Sequence, residues 1–304
     1  MRPRPVVGLG LCVLDLVLRV ERFEWRTERL RYDRCVEAGG GMAATAVVQA
    51  ARLGCPAELL SLVGDDAEGR GLRSELREAG VRTRGLVLSP RLPTTRCVVL
   101  VRRRDGERRF VVPDRRALEA AAPRFDLARV RRGALLLVDG HFPQQALAAV
   151  RQARAVGAAV IGDFHRLGPA ARRLLPWIDY PIVAEEFARE LAGGARAAIT
   201  TLRRRWGGVP VVTQGARGGL YWHEGRIRRF AATPARVVDT TGAGDAFHGA
   251  FAAGLAHGLA LPAAIGLAAR AAARCCGALG GRAASVGPEA LRPFLQRTEP
   301  GGVG

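Results

Sequence analysis

Residues 238–247 read VDTTGAGDAF and place two glycines and an acidic residue where an apolar, alanine-rich run begins. Such a run predicts a buried helix, whose first turn leaves backbone N–H groups unpaired and carries partial positive charge. Glycines there let an anion approach the bare amides closely. We therefore expect a phosphate-binding helix start, formed by the amides of Gly242, Ala243, Gly244 and Asp245.

Asp245 falls in the first turn of this expected helix, beside the anion pocket. A carboxylate in that place can accept the proton of a hydroxyl group that attacks a bound phosphate. The alternative is a glycine-rich turn in which Asp245 only complements the positive end of the helix dipole. The first interpretation predicts phosphoryl transfer to an alcohol, with Asp245 as the general base.

A second glycine-rich segment stands about two hundred residues upstream. Residues 39–46 read GGGMAATA and lead into a helix pattern of small residues, followed by an apolar strand pattern. Taken alone, these glycines could equally serve close packing of a helix against a sheet. Their function is open until both glycine-rich segments are considered together.

Together and in this order, the two segments resemble the signatures of the PfkB, or ribokinase-like, family of carbohydrate kinases. The resemblance runs from residues 8–15 to residues 280–285. It implies that Asp245 is the catalytic base, that the amides of residues 242–245 form the anion hole, and that ATP is the phosphate donor. It also implies that the following residues bind the sugar: Asp15, Gly40, Gly41 and Thr45.

The same resemblance indicates where the nucleotide and a monovalent cation bind. Thr213 and Gly215 match the family's nucleotide-contacting Thr-x-Gly, although a strand-ending turn explains them equally well. Thr241, with Asp239 and Ser285, matches positions near a monovalent-cation site. K⁺ is therefore an optional cofactor beside ATP and Mg²⁺.

The chain departs from the family at the magnesium-associated Asn-x-x-Glu motif. Residues 184–187 read AEEF at the matching place, so both polar residues of the motif are absent. Charge on the ATP phosphates still has to be neutralised during transfer, which requires Mg²⁺. Two interpretations stay open: Glu185 or Glu186 holds Mg²⁺ through water, or each is a helix-start carboxylate.

Two segments within the resemblance bear on the choice of sugar. Residues 39–46 and the GGRA at residues 280–283 are most similar to sulfofructose kinase and ketohexokinase-type members. An anionic sugar would need basic contacts, and Arg29 is the candidate for one. Chance placement also explains Arg29 in a chain so rich in arginine, so the charge of the sugar stays open.

Composition excludes several other functions. The formal net charge is +19, but all 47 basic residues are arginines scattered along the chain, and aromatic residues make up only 6%. A base-stacking platform needs more aromatic side chains, so we expect no specific nucleic-acid partner. Because the chain has no lysine, it also has no Walker A loop.

The sequence also predicts where the protein resides. No stretch is both long and uncharged enough to cross a bilayer, and the N-terminus leads directly into a strand pattern. The six cysteines show no paired metal-ligand spacing, so we expect reduced thiols. These observations predict a cytoplasmic protein with no membrane partner.

Apolar β-rich runs alternate with alanine-rich helical stretches, which predicts an α/β fold with a doubly wound, mostly parallel sheet flanked by helices. The 304 residues are 48% hydrophobic, and we expect a single ribokinase-like domain over residues 1–304. The first strand is predicted over residues 6–15, so that Asp15 ends a strand where open α/β sheets bind ligands. A capped turn carboxylate is the alternative for Asp15.

Residues 26–37 and 94–112 mix alternating apolar residues with charged ones, as a sheet with one wet face does. The family resemblance implies that these segments form a small β lid that closes over the sugar and pairs with a second subunit in a homodimer. An ordinary edge hairpin is the alternative.

These observations predict ATP-dependent phosphorylation of a sugar hydroxyl. Two alternatives stay open. One is a nucleoside kinase of the same fold, and the other is a sugar- or nucleotide-binding regulator weakened in catalysis by the lost motif at residues 184–187.

Overall fold

The computed structural model describes residues 2–24, 26 and 28–296. Within these residues the strands are β1 (Val6–Leu9), β2 (Val13–Val20), β3 (Tyr32–Gly40), β4 (Ala57–Gly64), β5 (Val81–Arg82), β6 (Leu86–Ser89), β7 (Arg96–Arg102), β8 (Arg108–Val111), β9 (Leu135–Val138), β10 (Ala159–Phe164), β11 (Tyr180–Ala184), β12 (Val211–Thr213), β13 (Gly219–His223) and β14 (Arg226–Phe230). The α-helices are α1 (Met42–Arg52), α2 (Ala67–Glu78), α3 (Arg116–Ala120), α4 (Pro143–Val156), α5 (Pro169–Leu174), α6 (Glu185–Ala192), α7 (Ala195–Trp206), α8 (Ala243–Ala256), α9 (Leu261–Cys275) and α10 (Arg292–Leu295).

The main sheet is mostly parallel, in the order β14-β13-β12-β11-β10-β9-β1-β4, with β5 and β6 both pairing with β4. Only β13 and β14 run antiparallel to their neighbours among these strands. Strands such as LLLV in β9 and AELLSLVG in β4 are buried throughout, because helices cover both faces of a parallel sheet. The predicted α/β fold is confirmed.

Alternate residues of each strand pack against different helices. Leu135 contributes to the apolar core beside α8 and α9, whereas its neighbour Leu136 packs with α4, α6 and α7. This separation follows from the two-residue period of a strand. The sheet and the carboxyl ends of its parallel strands therefore lie between two layers of helices. The candidate site residues lie near these ends.

A separate four-stranded sheet has the order β3-β2-β7-β8. The second predicted lid segment, residues 94–112, contains β7 and β8, and the first overlaps the beginning of β3. Residue 27 of that first segment lies outside the described residues.

The prediction of one strand over residues 6–15 was wrong. The chain leaves the main sheet after β1 and enters the small sheet as β2, which carries Asp15. The change is made where the Leu11 N–H donates to Asp139 Oδ2 at 2.8 Å instead of continuing the strand ladder. Asp139 follows β9, so the break depends on a residue 128 positions away. Asp15 therefore belongs to the small sheet rather than to the end of a main-sheet strand.

None of the helices in the described residues is both long and apolar enough to span a membrane.

Candidate active site

The start of α8 has the geometry of an anion site. Gly242 precedes the helix with φ 74°, a left-handed conformation that favours glycine, and a β-carbon there would lie 2.6 Å from the Gly281 α-carbon. Within the described residues, the N–H groups of Gly242, Gly244 and Asp245 have no protein acceptor. The Ala243 N–H donates to the Thr240 carbonyl at 3.3 Å. Three of the four amides proposed for the anion hole are thus available to a ligand.

Asp239 fixes the approach to this helix. Its side chain is fully buried, its Oδ1 accepts from the Thr241 N–H at 2.7 Å, and its Oδ2 accepts from the Gly280 N–H at 2.8 Å. One carboxylate therefore ties the loop before α8 to the segment after α9. That contact brings Gly281 against Gly242.

Asp245 is half-buried in the first turn of α8. Burial and, to a smaller extent, the nearby Asp163 carboxylate raise the pKa of its carboxyl to about 7, while His248 and Arg108 act in the opposite direction. A carboxyl group with this pKa is a much stronger base than an ordinary aspartate and is still partly ionised at neutral pH.

Asp163 and His248 lie close enough to Asp245 to influence its pKa, although the sequence did not single out either residue as part of the site. Asp163 is buried on β10, and burial together with the Asp139 carboxylate raises its pKa well above the ordinary value. His248 Nδ1 lies 2.7 Å from the Gly244 carbonyl oxygen and 3.3 Å from Asp163 Oδ2. Burial lowers the pKa of His248. The surroundings of Asp245 are thus acidic, dry and built from α8 and the ends of β9 and β10.

The residues proposed to bind sugar also lie close together. Asp15 is 6% exposed, and its carboxylate lies against Gly40, where a β-carbon would overlap it. Thr45 is buried in the first turn of α1. Gly41 has φ 91°, and a β-carbon there would collide with the Leu11 carbonyl. These glycines therefore make room for the protein's own groups.

Burial, with smaller contributions from the carboxylates of Asp245 and Asp239, raises the pKa of Asp15 to about 7. The Arg282 guanidinium is the largest opposing influence. Because the carboxylate of Asp245 influences the pKa of Asp15, the proposed sugar contact and the proposed base share one electrostatic environment.

Arg282 was missed by the sequence analysis as an individual site residue. It is 5% exposed, and its guanidinium donates to Thr45 Oγ1 at 3.2 Å and to the Gly40 carbonyl at 2.5 Å. It also forms an ion pair with Glu75 at 3.1 Å. The only signal in the sequence was the GGRA at residues 280–283, which did not distinguish this arginine from the others.

Arg108, on β8 of the small sheet, is a second residue that the sequence did not single out. Its Nη1 donates to Thr240 Oγ1 at 2.9 Å, and its Nε is buried with no hydrogen-bond partner among the described residues. The Gly106 carbonyl in the same hairpin accepts from the Thr240 N–H at 3.1 Å. The β7–β8 hairpin is thus docked on the loop that leads into α8.

Thr213 and Gly215 lie at the end of β12, where the parallel strands give way to the β13–β14 hairpin. Thr213 Oγ1 donates to the Val183 carbonyl at 3.4 Å, and Gly215 has φ 57°. A cavity of about 360 Å³ lies beside them. Its lining residues come from α7, the turn after β12 and the β13–β14 hairpin: Arg196, Gln214, Arg217, Leu220, Ile227, Arg228 and Arg229.

Glu185 begins α6, and both of its carboxylate oxygens are used by the protein. Arg217 approaches them at 2.5 Å, and the Gln214 side-chain amide donates to Oε1 at 2.9 Å. Arg29 is exposed in the segment before β3, unlike the buried Asp15 and Thr45. Neither residue joins the buried cluster around Asp245.

Asp245 lies beside free amides at the start of α8, and a second carboxylate, that of Asp15, lies on β2 of the small sheet. The sequence model described as "pfkB family carbohydrate kinase" matches residues 4–286. The chain belongs to the PfkB family of carbohydrate kinases. As a PfkB member it is a sugar kinase, a phosphotransferase that uses ATP, which confirms the predicted enzyme class.

Individual relatives give the same result. The ribokinase of Lactococcus lactis subsp. lactis is 28% identical over 269 residues, covering 86% of each chain. The fructoselysine 6-kinase of Escherichia coli is 27% identical over 252 residues, covering 77% of this chain and 90% of the relative.

Among solved structures, a candidate ribokinase from Agrobacterium tumefaciens has a TM-score of 0.85 and 28% identity, covering 98% of this chain and all of that one. Arabidopsis thaliana ribokinase, solved with ribose and ATP, shares the fold with a TM-score of 0.79 and 24% identity, covering 97% and 99% of the two chains. The similar proteins named here are ribokinases and a fructoselysine kinase, so the expected nearness to sulfofructose kinase and ketohexokinase is corrected.

Proposed function

We propose that this PfkB-family enzyme transfers the γ-phosphoryl group of ATP to a hydroxyl group of a small sugar, with Asp245 as the general base. The observation that carries the proposal is the position of Asp245 beside the free N–H groups of Gly242 and Gly244. A base and an anion hole on one helical turn bring the attacking hydroxyl and the transferred phosphate to the same point.

Asp245 accepts the proton as the sugar oxygen attacks phosphorus. A carboxylate whose pKa is about 7 takes up that proton more readily than an ordinary aspartate does. The free amides at residues 242, 244 and 245 stabilise charge that develops on the phosphoryl oxygens. Arg108 supports this field, because its buried Nε still lacks a partner among the described residues.

Asp15, Gly40, Gly41 and Thr45 orient the sugar in this proposal. Support comes from the burial of Asp15 and Thr45 and from the close approach of Asp15 to Gly40. An ionised carboxylate can accept two hydroxyl hydrogen bonds, which suits a polyol. Arg29 stays a prediction because it is exposed outside this cluster.

The nucleotide is proposed to lie along Thr213, Gly215 and Thr241, toward the start of α8. Support comes from the arginine-lined cavity next to Thr213 and Gly215, which offers positive charge to phosphates. In this orientation the γ-phosphate reaches the free amides of α8 and the base side chain at once.

Mg²⁺ is the proposed counterion of the ATP phosphates. The described residues contain no cluster of three or more potential metal ligands, but Mg²⁺ in such sites keeps several waters and binds one or two carboxylates plus phosphate oxygens. Asp163 Oδ2 is buried without a hydrogen-bond partner among those residues and fits a contact through water. A similar contact from Glu185 requires the Arg217 ion pair to open. Bound Mg²⁺ would neutralise charge on the transferred phosphate.

K⁺ stays a proposal supported by one atom. Thr241 Oγ1 is buried with no hydrogen-bond partner in the described part of the chain. Asp239 gives both oxygens to backbone amides, and Ser285 Oγ accepts from Arg52 at 2.6 Å. Of Thr241, Asp239 and Ser285, Thr241 therefore has the side-chain oxygen that is available to a cation.

The small sheet is proposed to act as a lid and as a homodimer contact. Support comes from exposed apolar residues on or beside its two edge strands: Leu30, Tyr32, Phe110, Val111 and Val112. An exposed edge strand with apolar side chains can pair with another chain. Analytical ultracentrifugation of the wild type and of Phe110→Asp tests the dimer, which the substitution should weaken.

The sugar is proposed to be a neutral one such as D-ribose, because ribokinases are among the relatives. A coupled ADP-release assay with Mg-ATP tests this with D-ribose, D-fructose, fructoselysine, sulfofructose and adenosine. Sugar-dependent ADP release by the wild type that is lost in Asp245→Asn supports the proposal. Turnover of adenosine alone would indicate the nucleoside kinase, and sugar binding without any ADP release would indicate the weakened regulator.

A further inference from the structure

Arg282 connects the two ends of the proposed site. It follows Gly281, whose backbone packs against Gly242 at the start of α8, while its guanidinium reaches the sugar end. There it contacts three separate elements: the end of β3 through the Gly40 carbonyl, α1 through Thr45, and α2 through Glu75.

We propose that Arg282 is a positioning residue that holds the Gly40 carbonyl and the Thr45 hydroxyl in the geometry required for the sugar and places a positive charge beside Asp15. This inference rests on the proposed function. The residue touches neither the reacting hydroxyl nor the phosphate in this scheme, and acts through its neighbours.

The shape of the guanidinium supports this role. Its Nε, Nη1 and Nη2 atoms each serve a different acceptor, which a planar fork of donors can do and a single ammonium group cannot. A β-carbon at Gly39 would overlap both this guanidinium and the Glu75 carboxylate. The absence of a side chain at residue 39 is thus explained by room for the ion pair.

The charge of Arg282 gives the proposal a measurable signature. Asp15 faces Arg282 and Arg115, which lower the pKa of its carboxyl, and Asp245 and Asp239, which raise it together with burial. Cys12 and Cys97 also lie beside Asp15, and burial raises the pKa of both thiols, so they stay neutral near pH 7. Removing Arg282 should therefore raise the pKa of Asp15. Removing the negative charge of Glu75, the ion-pair partner of Arg282, should have the opposite effect, because it leaves the positive charge of Arg282 uncompensated.

The test uses Arg282→Gln, Arg282→Lys and Glu75→Gln in the full chain, with exposed Arg84→Gln as the matched control. Rates are measured with D-ribose, or with whichever sugar of the panel reacts faster. Arg282→Gln should raise the KM for sugar roughly tenfold or more, because orientation is lost, while the KM for ATP stays the same. The acid limb of the kcat/KM profile, the part in which kcat/KM falls as the pH is lowered, should move to higher pH.

Arg282→Lys keeps the charge but loses the fork, so its KM should rise while the acid limb stays. Glu75→Gln should move the acid limb to lower pH. The profile of kcat, which reports the complex with sugar bound, should move less than that of kcat/KM, which reports the free enzyme. A role confined to stability would lower the melting temperature without these opposite shifts.

Unchanged KM and pH profiles in Arg282→Gln would overturn the inference while leaving the proposed function intact. If Arg282→Gln does not fold, Arg282→Lys and Glu75→Gln test the inference. An acid limb in Glu75→Gln that keeps its position or moves to higher pH overturns the inference. A wild type without sugar-dependent ADP release overturns the proposed function, and this inference with it.

Discussion

The carboxylate of Asp15 lies directly against the backbone of Gly40, at a distance that leaves no room for a β-carbon. The two residues come from neighbouring antiparallel strands, β2 and β3, of the small sheet. A side chain at residue 40 would therefore displace the aspartate. The floor of the proposed sugar site is built on this contact.

Gly40→Ala should displace Asp15 and weaken sugar binding. The added methyl group overlaps the carboxylate, so we expect the KM for sugar to rise roughly tenfold, with little change in the KM for ATP. Gly71→Ala is the matched control, because a β-carbon there meets no atom within 4 Å. Steady-state kinetics of the two variants check this, and equal KM values for sugar would contradict it.

Asp245→Asn should lower kcat by roughly 10²–10⁴-fold, because the amide cannot accept the proton of the attacking hydroxyl. ATP binding, measured by calorimetry, should change little. Asp126→Asn, at an exposed carboxylate, is the control. Retention of wild-type kcat in Asp245→Asn would exclude this residue as the base.

The rate should rise with pH through the pKa of Asp245. In the free enzyme its carboxyl has a pKa of about 7, and only the ionised form is a base, so kcat/KM falls as the pH drops below that value. Asp163→Asn removes a carboxylate that raises this pKa, so the acid limb of kcat/KM should move to lower pH. An acid limb that moves upward in this variant would show that Asp163 does not act on Asp245 in this way.

The apo enzyme should gain stability from Asp245→Asn at alkaline pH. A carboxyl whose pKa is raised by folding stabilises the protein fully below its unfolded pKa, and that contribution is lost as the pH rises through about 7. At pH 8 the variant should therefore exceed the wild type in unfolding free energy by on the order of 2 kcal/mol.

The gain from Asp245→Asn should shrink as the pH falls below about 7 and disappear only below about pH 4, where the unfolded chain also keeps the proton. His165, whose pKa is lowered by burial, acts in the opposite sense below about pH 6.5, but it is common to both proteins. Thermal unfolding at several pH values measures the difference, and a gain independent of pH would contradict this explanation.

Substitutions at the two glycines of the α8 start should have different effects. Gly242→Ala forces a side chain into a left-handed conformation against Gly281, which should cost about 1–3 kcal/mol of stability. Gly244→Ala meets no protein atom within 4 Å and should fold normally. Its methyl group instead narrows the space for the anion, so kcat should fall. Thermal unfolding and kinetics separate the two, and a fully active Gly244→Ala would argue against phosphate at this place.

Local features made α8 and its first turn predictable. A cap glycine, a first-turn aspartate and an apolar helix lie within about ten residues, and their meaning depends on backbone chemistry alone. The alternation of strands and helices is local in the same way, which is why the parallel α/β fold could be predicted.

The position of Asp15 could not be obtained in this way. Residues 6–20 form an almost continuous apolar pattern, yet they belong to two sheets, because the Asp139 carboxylate takes the Leu11 N–H out of the strand ladder. Periodicity describes the strand itself and carries no information on a partner 128 residues away.

The roles of Arg282 and Arg108 were hidden for a related reason. Among 47 basic residues, nothing in the sequence marks the one that reaches Gly40 and Thr45 or the one that reaches Thr240. Only the folded chain brings these groups together, since their partners are more than a hundred residues distant.

The sequence by itself determined the glycine-rich start of α8, the layered α/β architecture and the carbohydrate kinase family, because each depends on short patterns of glycine, acidic and apolar residues. Tertiary structure alone decided which sheet carries Asp15, which arginine supports it and how acidic the surroundings of Asp245 are. Those properties depend on burial and on charges that distant parts of the chain contribute to one point in space.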